Sequence, residues 1–259
     1  MVEQRLMLKV LNLAKSFPLH GQNMAVLDNI SFTLKAGEFV VIFGPNGCGK
    51  TTLLNIVAGL EGYYSGYVGK ASGTKVNFMF QNYREALFPW LQVRDNIALP
   101  LRLQRVPKTE SYQRVSELIA ELEVDLDLNA YPYQLSSGQQ QLVAILRGIV
   151  SKADLFIMDE PFSSLDYSST LLMEQKLLSL WERYKFSVLF VTHAAGEAVL
   201  LADRILVMGH RPGRIVGSIS VDLPRPRPYS LITTPKFNRL KEQVINTCFT
   251  HSTFLNANP

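Results

Sequence analysis

The chain has 259 residues, long enough for one core carrying a smaller inserted subdomain, and its 47% hydrophobic and 19% charged residues exclude disorder outside the tail. Its formal charge of +4 arises from mixed charges without a long basic block, so no nucleic acid is expected as partner, and two distant cysteines, Cys48 and Cys248, give neither a disulfide framework nor metal-ligand spacing. Glu3, Arg5, Lys9 and Lys15 break the apolar stretch that a secretory signal needs, and no apolar run approaches the ~20 residues of a membrane helix, so a cytoplasmic chain that does not itself cross a membrane is expected.

From Leu6 to Phe43 apolar and polar residues alternate in LMLKVLNL and ISFTL, turn at Gly37, and continue as FVVIF, which predicts strands. The last of these feeds GPNGCGKTT at residues 44–52, and a helix is expected from Lys50 to Leu60. The loop fits G-x-x-x-x-G-K-[ST], in which backbone N–H groups cradle phosphates at a helix N-terminus. Gly44, Pro45, Asn46, Gly47, Cys48, Gly49, Lys50, Thr51 and Thr52 are therefore candidate nucleotide ligands. Lys50 is suited to neutralise the β- and γ-phosphates, and the Thr51 hydroxyl to ligate Mg²⁺. Cys48 sits where a helix N-terminus can lower a thiol pKa, although a small filler is the favoured reading.

Short strands are expected near Gly66 to Lys70 and Val76 to Phe80. Helical periodicity then takes over from Asn82 to Lys152, in segments around Val93 to Leu103, Glu110 to Glu123 and Gln139 to Val150. A buried strand, DLFIMD, follows at residues 154–159, then a helix from Ser168 to Tyr184, a second buried strand, SVLFVT, and a helix beginning near Ala194. Strands alternating with helices imply an α/β fold with a parallel sheet covered on both faces. RILVMG and GRIVGSI read as closing strands, followed by a Pro/Arg-rich connector at residues 223–228 and a helix from Pro235. In DLFIMDE, Asp159 stands at a buried strand end where it can hold a magnesium shell, and Glu160 where it can align and deprotonate an attacking water.

LSSGQ, residues 135–139, lies immediately before a helix. It resembles the signature of ATP-binding-cassette proteins, usually LSGGQ, and the resemblance extends through essentially the whole chain. It implies an ABC ATPase, a P-loop NTPase core with an N-terminal antiparallel β subdomain and an inserted α-helical subdomain. The core would comprise 1–81 and 153–222, the helical signature subdomain 82–152 and a tail 223–259. In that family the signature of one subunit caps the γ-phosphate held by another, which assigns Ser136, Ser137, Gly138 and Gln139 to nucleotide binding. Ser137 stands where glycine is usual, and Leu142 and Leu146 replace residues commonly Arg and Ala.

Further family elements fall in order. Gln81, in FMFQN, resembles the glutamine that senses magnesium and water. Asp166, in SSLD, matches a loop that contacts the opposite subunit, and equally suits a helix cap. His193 resembles the switch histidine that steadies the γ-phosphate, with Ala194 where relatives often carry an acid. Phe17 matches the aromatic that stacks on adenine.

FPWL at residues 88–91, EAVLLADRILVM at 197–208, RPGRI at 211–215 and LPRPRP in the tail are similar to the ATPases of nitrate, sulfonate, taurine and bicarbonate importers. That branch implies an ATP-hydrolysing subunit with ATP and Mg²⁺ as cofactors, peripheral on the cytoplasmic face of the inner (plasma) membrane. Its implied partners are membrane permease subunits, a second ATPase subunit (the same or a similar chain) and a periplasmic or lipid-anchored substrate-binding protein. The resemblance leaves two alternatives, a soluble cassette ATPase with a non-transport task and a regulatory cassette with weakened hydrolysis. Phe88, Pro89, Trp90 and Leu91 are expected either to line a permease groove or to pack within the helical subdomain.

Overall fold

In the computed structural model, which describes residues 5–19, 22–81 and 87–250, the strands separate into two sheets. β1 (Leu6–Leu19) and β2 (Gln22–Lys35) pair antiparallel, and β4 (Ser65–Lys70) adds to the other edge of β1. Leu8, Val10 and Leu13 of β1 are fully buried. The three-residue step between Val10 and Leu13 breaks strict alternation. It is absorbed by a register shift around Asn12, whose φ of 48° lies in the left-handed region.

β3 (Phe39–Phe43), β6 (Leu155–Asp159) and β7 (Ser187–Thr192) are buried at every residue. Such runs need no polar alternation because both faces of the sheet are covered. With β5 (Val76–Met79), β8 (Arg204–Met208) and β9 (Ile215–Ser220) they form a sheet ordered β5-β6-β7-β3-β8-β9. Pairing is parallel from β5 to β8 and antiparallel between β8 and β9. Phe39, Val41 and Phe43 enter one hydrophobic core, and Val40 and Ile42 a second core shared with the antiparallel sheet.

α1 (Lys50–Ala58) ends at Gly59, whose φ of 84° closes the helix, so Leu60 lies beyond it. α2 (Val93–Leu103), α3 (Lys108–Glu121) and α4 (Ser137–Val150) lie in the chain between β5 and β6, and α2 packs on both α3 and α4. α5 (Tyr167–Tyr184), α6 (Ala195–Leu201) and α7 (Pro235–Thr250) complete the helices. Helix ends and the strands of the six-stranded sheet fall within two residues of those expected from sequence. Residues 82–86, including Asn82 where the helical stretch was expected to begin, and 251–259, the end of the expected tail, lie outside the described residues. No helix among the described residues is long and apolar enough to cross a membrane.

The Pro/Arg-rich connector is a clamp. Arg225 pairs with Asp203 at 2.8 Å and lies 4.1 Å from the ring centroid of Trp181. Arg227, only 2% exposed, donates to the carbonyls of Val199, Leu200, Ala202, Val221 and Leu223. Those from α6 are carbonyls that a helix C-terminus leaves without intrahelical donors. Beyond the clamp, α7 docks through Phe237, Val244 and Cys248 onto the larger core.

Candidate nucleotide site

The 44–49 loop leaves the carboxyl end of β3 at the centre of the sheet and delivers the chain into α1. A Cβ at Gly49 would run into Leu27 and Val26 of β2, and its φ of 102° is open to glycine but strained for other residues. That close seat turns the first turn of α1 toward the loop's concave side. Lys50 Nζ, 5% exposed, donates to the carbonyls of Gly44 and Pro45 at 3.0 Å each. It also stands 3.3 Å from Glu160 Oε1.

Register brings the acidic residues to the same edge. β6 and β7 flank β3 on one side, with Asp159 level with Val191, so Glu160 and His193 both leave the carboxyl ends of adjacent strands. Ligands of open parallel sheets bind at that edge. Asp159 is 3% exposed and accepts a hydrogen bond from the Thr51 hydroxyl. Burial raises its pKa above the ordinary carboxylate value and Glu160 adds to the rise, while Thr51 and Lys50 oppose it. Thr51 and Asp159 thus form an oxygen pair suited to a magnesium ion, which keeps several waters and takes phosphate oxygens as further ligands. The loop, its lysine and this pair fit a magnesium nucleoside triphosphate.

Glu160 has φ 44°, a left-handed conformation costing about 1–2 kcal/mol in a residue with a side chain. Three hydrogen bonds hold it there. Its N–H donates to Val191 O at 3.0 Å, and its carbonyl accepts from the Ser163 N–H at 3.1 Å and the Ser163 hydroxyl at 2.9 Å. The side chain is thereby aimed between Lys50 and His193, whose Nδ1 lies 2.9 Å from Glu160 Oε2. The orienting partner for His193 is therefore Glu160. Ala194 has no polar side chain to offer His193, and its N–H donates to the Thr192 hydroxyl at 2.9 Å.

The remaining expected residues are placed as follows. Phe17 is half-buried on β1 opposite Met24 of β2, with Lys15 Nζ 4.4 Å from its ring centroid. Gln81 is exposed just past β5, whose neighbour β6 carries Asp159. Cys48 is buried, and burial pushes its thiol up, against the lowering that its place at a helix N-terminus suggested, which leaves the small-filler reading.

Ser136 caps α4. Its hydroxyl accepts from the Gln139 N–H at 3.3 Å and its own N–H donates to Gln139 Oε1 at 3.0 Å, a reciprocal capping box. Ser136, Ser137, Gly138 and Gln139 line a cavity of about 440 Å³ with Asp166, Met173 and Lys176. No residue of the 44–52 loop lines it, so the chain does not bring its own signature and phosphate loop into one pocket. Asp166 caps α5, accepting from the Ser169 N–H at 2.9 Å and from both the Ser168 and Ser169 hydroxyls at 2.6 Å. These bonds hold its carboxyl well below the usual range.

Sequence reasoning missed two neighbouring carboxyls, Glu174 and Glu197, that line one cavity with Tyr229. Glu174 of α5 is 4% exposed and accepts from the Tyr229 hydroxyl at 2.9 Å. Burial pushes it up to about 7, with Tyr229 opposing. Glu197, in the first turn of α6, is pushed up to about 8 by burial, against its hydrogen bond with Thr192 and reinforced by Glu174 and Glu160. Glu174 carried no motif, and Glu197 was noted only as part of a longer stretch. Asn96 was likewise unmarked. It is fully buried, it bonds the backbone of Phe88 and Leu91, and Arg147 donates to its side-chain oxygen at 2.8 Å.

Comparison with known proteins adds four findings. The sequence pattern of the family described as "ABC transporter" matches residues 27–163. The aliphatic sulfonates import ATP-binding protein SsuB of Bacillus licheniformis is 37% identical over 246 residues, spanning 93% of each chain. The bicarbonate transport ATP-binding protein CmpC of Synechococcus elongatus is 40% identical over 93% of this chain, which spans 38% of that longer protein. Among solved structures, a dimeric bacterial ABC transporter cassette superposes with a TM-score of 0.72 and 29% identity, covering 84% of this chain and all of its own.

Proposed function

The chain belongs to the ABC transporter family of ATPases, and we propose that it energises import of a small anion, of the sulfonate or bicarbonate kind, across the cell membrane. The likeness to sulfonate import and bicarbonate transport ATP-binding proteins supports the transport part of this reading. The observation that carries its ATPase part is the convergence of Lys50, Asp159, Glu160 and His193 at the carboxyl ends of β3, β6 and β7. Backbone N–H groups of residues 44–52 and Lys50 bind the triphosphate, and Phe17 stacks on the base. Thr51 and Asp159 would hold magnesium, with Gln81 as a further ligand, and the ion would supply charge neutralisation on the phosphates. Glu160 accepts the proton of the attacking water. His193, fixed through Nδ1, keeps Glu160 from turning away.

The phosphate loop of one chain is completed by Ser136, Ser137, Gly138 and Gln139 of a second copy or similar chain. The helical subdomain then carries the closure to a permease. Trp90 is 70% exposed and meets Phe88 edge-on at 5.3 Å, on a turn pinned by Asn96, which favours docking over internal packing. The chain sits peripherally on the cytoplasmic face, and a separate binding protein delivers the solute. The test is uptake by vesicles holding the permease encoded beside this chain. ATP-dependent accumulation of an anion supports the reading, and ATP hydrolysis with no permease association contradicts it.

A further inference from the structure

The turn between β8 and β9 lies against the outer wall of the phosphate loop. Arg211 donates from Nε to the Gly47 carbonyl at 3.2 Å, and its Nη1 lies 3.6 Å from Met24 Sδ. Met24 is the residue opposite Phe17, so one guanidinium spans from the strand pair on the base side to the loop on the phosphate side. Two residues on, Gly213 touches the loop so closely that a Cβ there would run into the Cys48 carbonyl oxygen. Gly213 is itself fixed to β2, its N–H donating to Val26 O at 2.8 Å and its carbonyl accepting from the Asp28 N–H at 3.0 Å. Arg214 adds an ion pair with Asp28. The turn is therefore anchored independently of the loop it supports.

In a trans peptide the C=O and the following N–H point in opposite directions. Holding the Gly47 carbonyl from outside aims the Cys48 N–H into the cradle, and Gly213 behind the Cys48 carbonyl does the same for the Gly49 N–H. Gly47 has φ 76° and Gly49 φ 102°, positions where glycine leaves the backbone free to rotate. An external brace is what such a loop lacks. We propose that Arg211 is a positioning residue for nucleotide phosphate, acting through the Gly47–Cys48 peptide and backed by Gly213.

The inference rests on the phosphate-binding reading of residues 44–52, and its test separates the two. Binding of MgATP and of magnesium tripolyphosphate, which has phosphates but no base or sugar, is measured on the full chain as wild type, Arg211→Ala and Arg211→Lys. Arg211→Ala is expected to weaken both ligands by a similar factor, roughly tenfold for one charge-assisted hydrogen bond. Arg211→Lys should recover most of that loss, and the ligand-free melting temperature should stay unchanged, since Arg211 is exposed. Loss of ATP binding with tripolyphosphate binding intact would place Arg211 on the base or ribose and overturn the proposal. So would unchanged affinity for both ligands, or a fall in ligand-free melting that tracks the loss. A wild type that binds neither ligand would instead sink the phosphate-loop reading.

Discussion

Glu160 is the residue on which chemistry and backbone geometry meet. Its carboxylate faces both Lys50 and His193, and its left-handed φ is held by Val191 and Ser163. Glu160→Gln keeps the shape and removes the base, so turnover should fall roughly 10²- to 10⁴-fold while ATP is still bound. Steady-state hydrolysis beside nucleotide binding checks this, and turnover near wild type would remove Glu160 from the role. The enclosed Glu174 makes a separate prediction. A carboxyl raised from 4.5 to about 7 in the fold contributes stability that is complete below pH 4.5 and lost as pH rises through 7. That is worth up to about 3 kcal/mol, so the wild type should melt lower at pH 9 than at pH 6. Glu174→Gln should flatten that slope and melt higher at pH 9. Parallel curves for the two would contradict it. At this scale Lys50 and Thr51 were readable because they close a spaced glycine motif where a strand gives way to a helix. Asp159 and Glu160 were readable because they end a buried apolar strand, and His193 only through the family resemblance. The roles of Arg211 and Glu174 were not, because their partners lie far away in the chain: Arg211, quoted only within RPGRI, reaches Gly47 and Glu174 meets Tyr229.

Among the elements, the 88–91 turn and the Arg225/Arg227 clamp carry the consequences. Asn96 and Arg147 fix the turn from below and leave the Trp90 ring in solvent. Trp90→Ala should therefore leave melting and ATP binding unchanged while transport falls. Equal uptake by variant and wild type would count against a docking role. Arg227→Met removes the donors of five carbonyl contacts in a site 2% exposed. The expected destabilisation is about 3 kcal/mol, a drop in melting temperature of order 5–10 °C. A shift of a degree or less would mean that water replaces the guanidinium. Element type was readable throughout the six-stranded sheet because continuous apolar runs such as FVVIF and SVLFVT are too short for helices. The clamp was hidden because Pro and Arg in alternation look like a linker. Only the fold places them over the end of α6.

For the whole molecule, the signature lines a cavity that no residue of the phosphate loop enters, and the related cassette is a dimer. Two half-sites of this kind complete each other only across an interface. The antiparallel sheet and the parallel sheet share a core through Val40 and Ile42, so the base-side strands and the loop belong to one packed body. The family resemblance of the signature implied a composite site, whereas the separation of its halves within one chain needed the fold. The most direct measurement mixes two inactive chains, Lys50→Ala and Gly138→Asp, in the permease complex and follows ATP hydrolysis. The account predicts activity well above that of either variant alone, since one site of the mixed pair joins an intact loop to an intact signature from the other chain. A mixture as inactive as its components would contradict it.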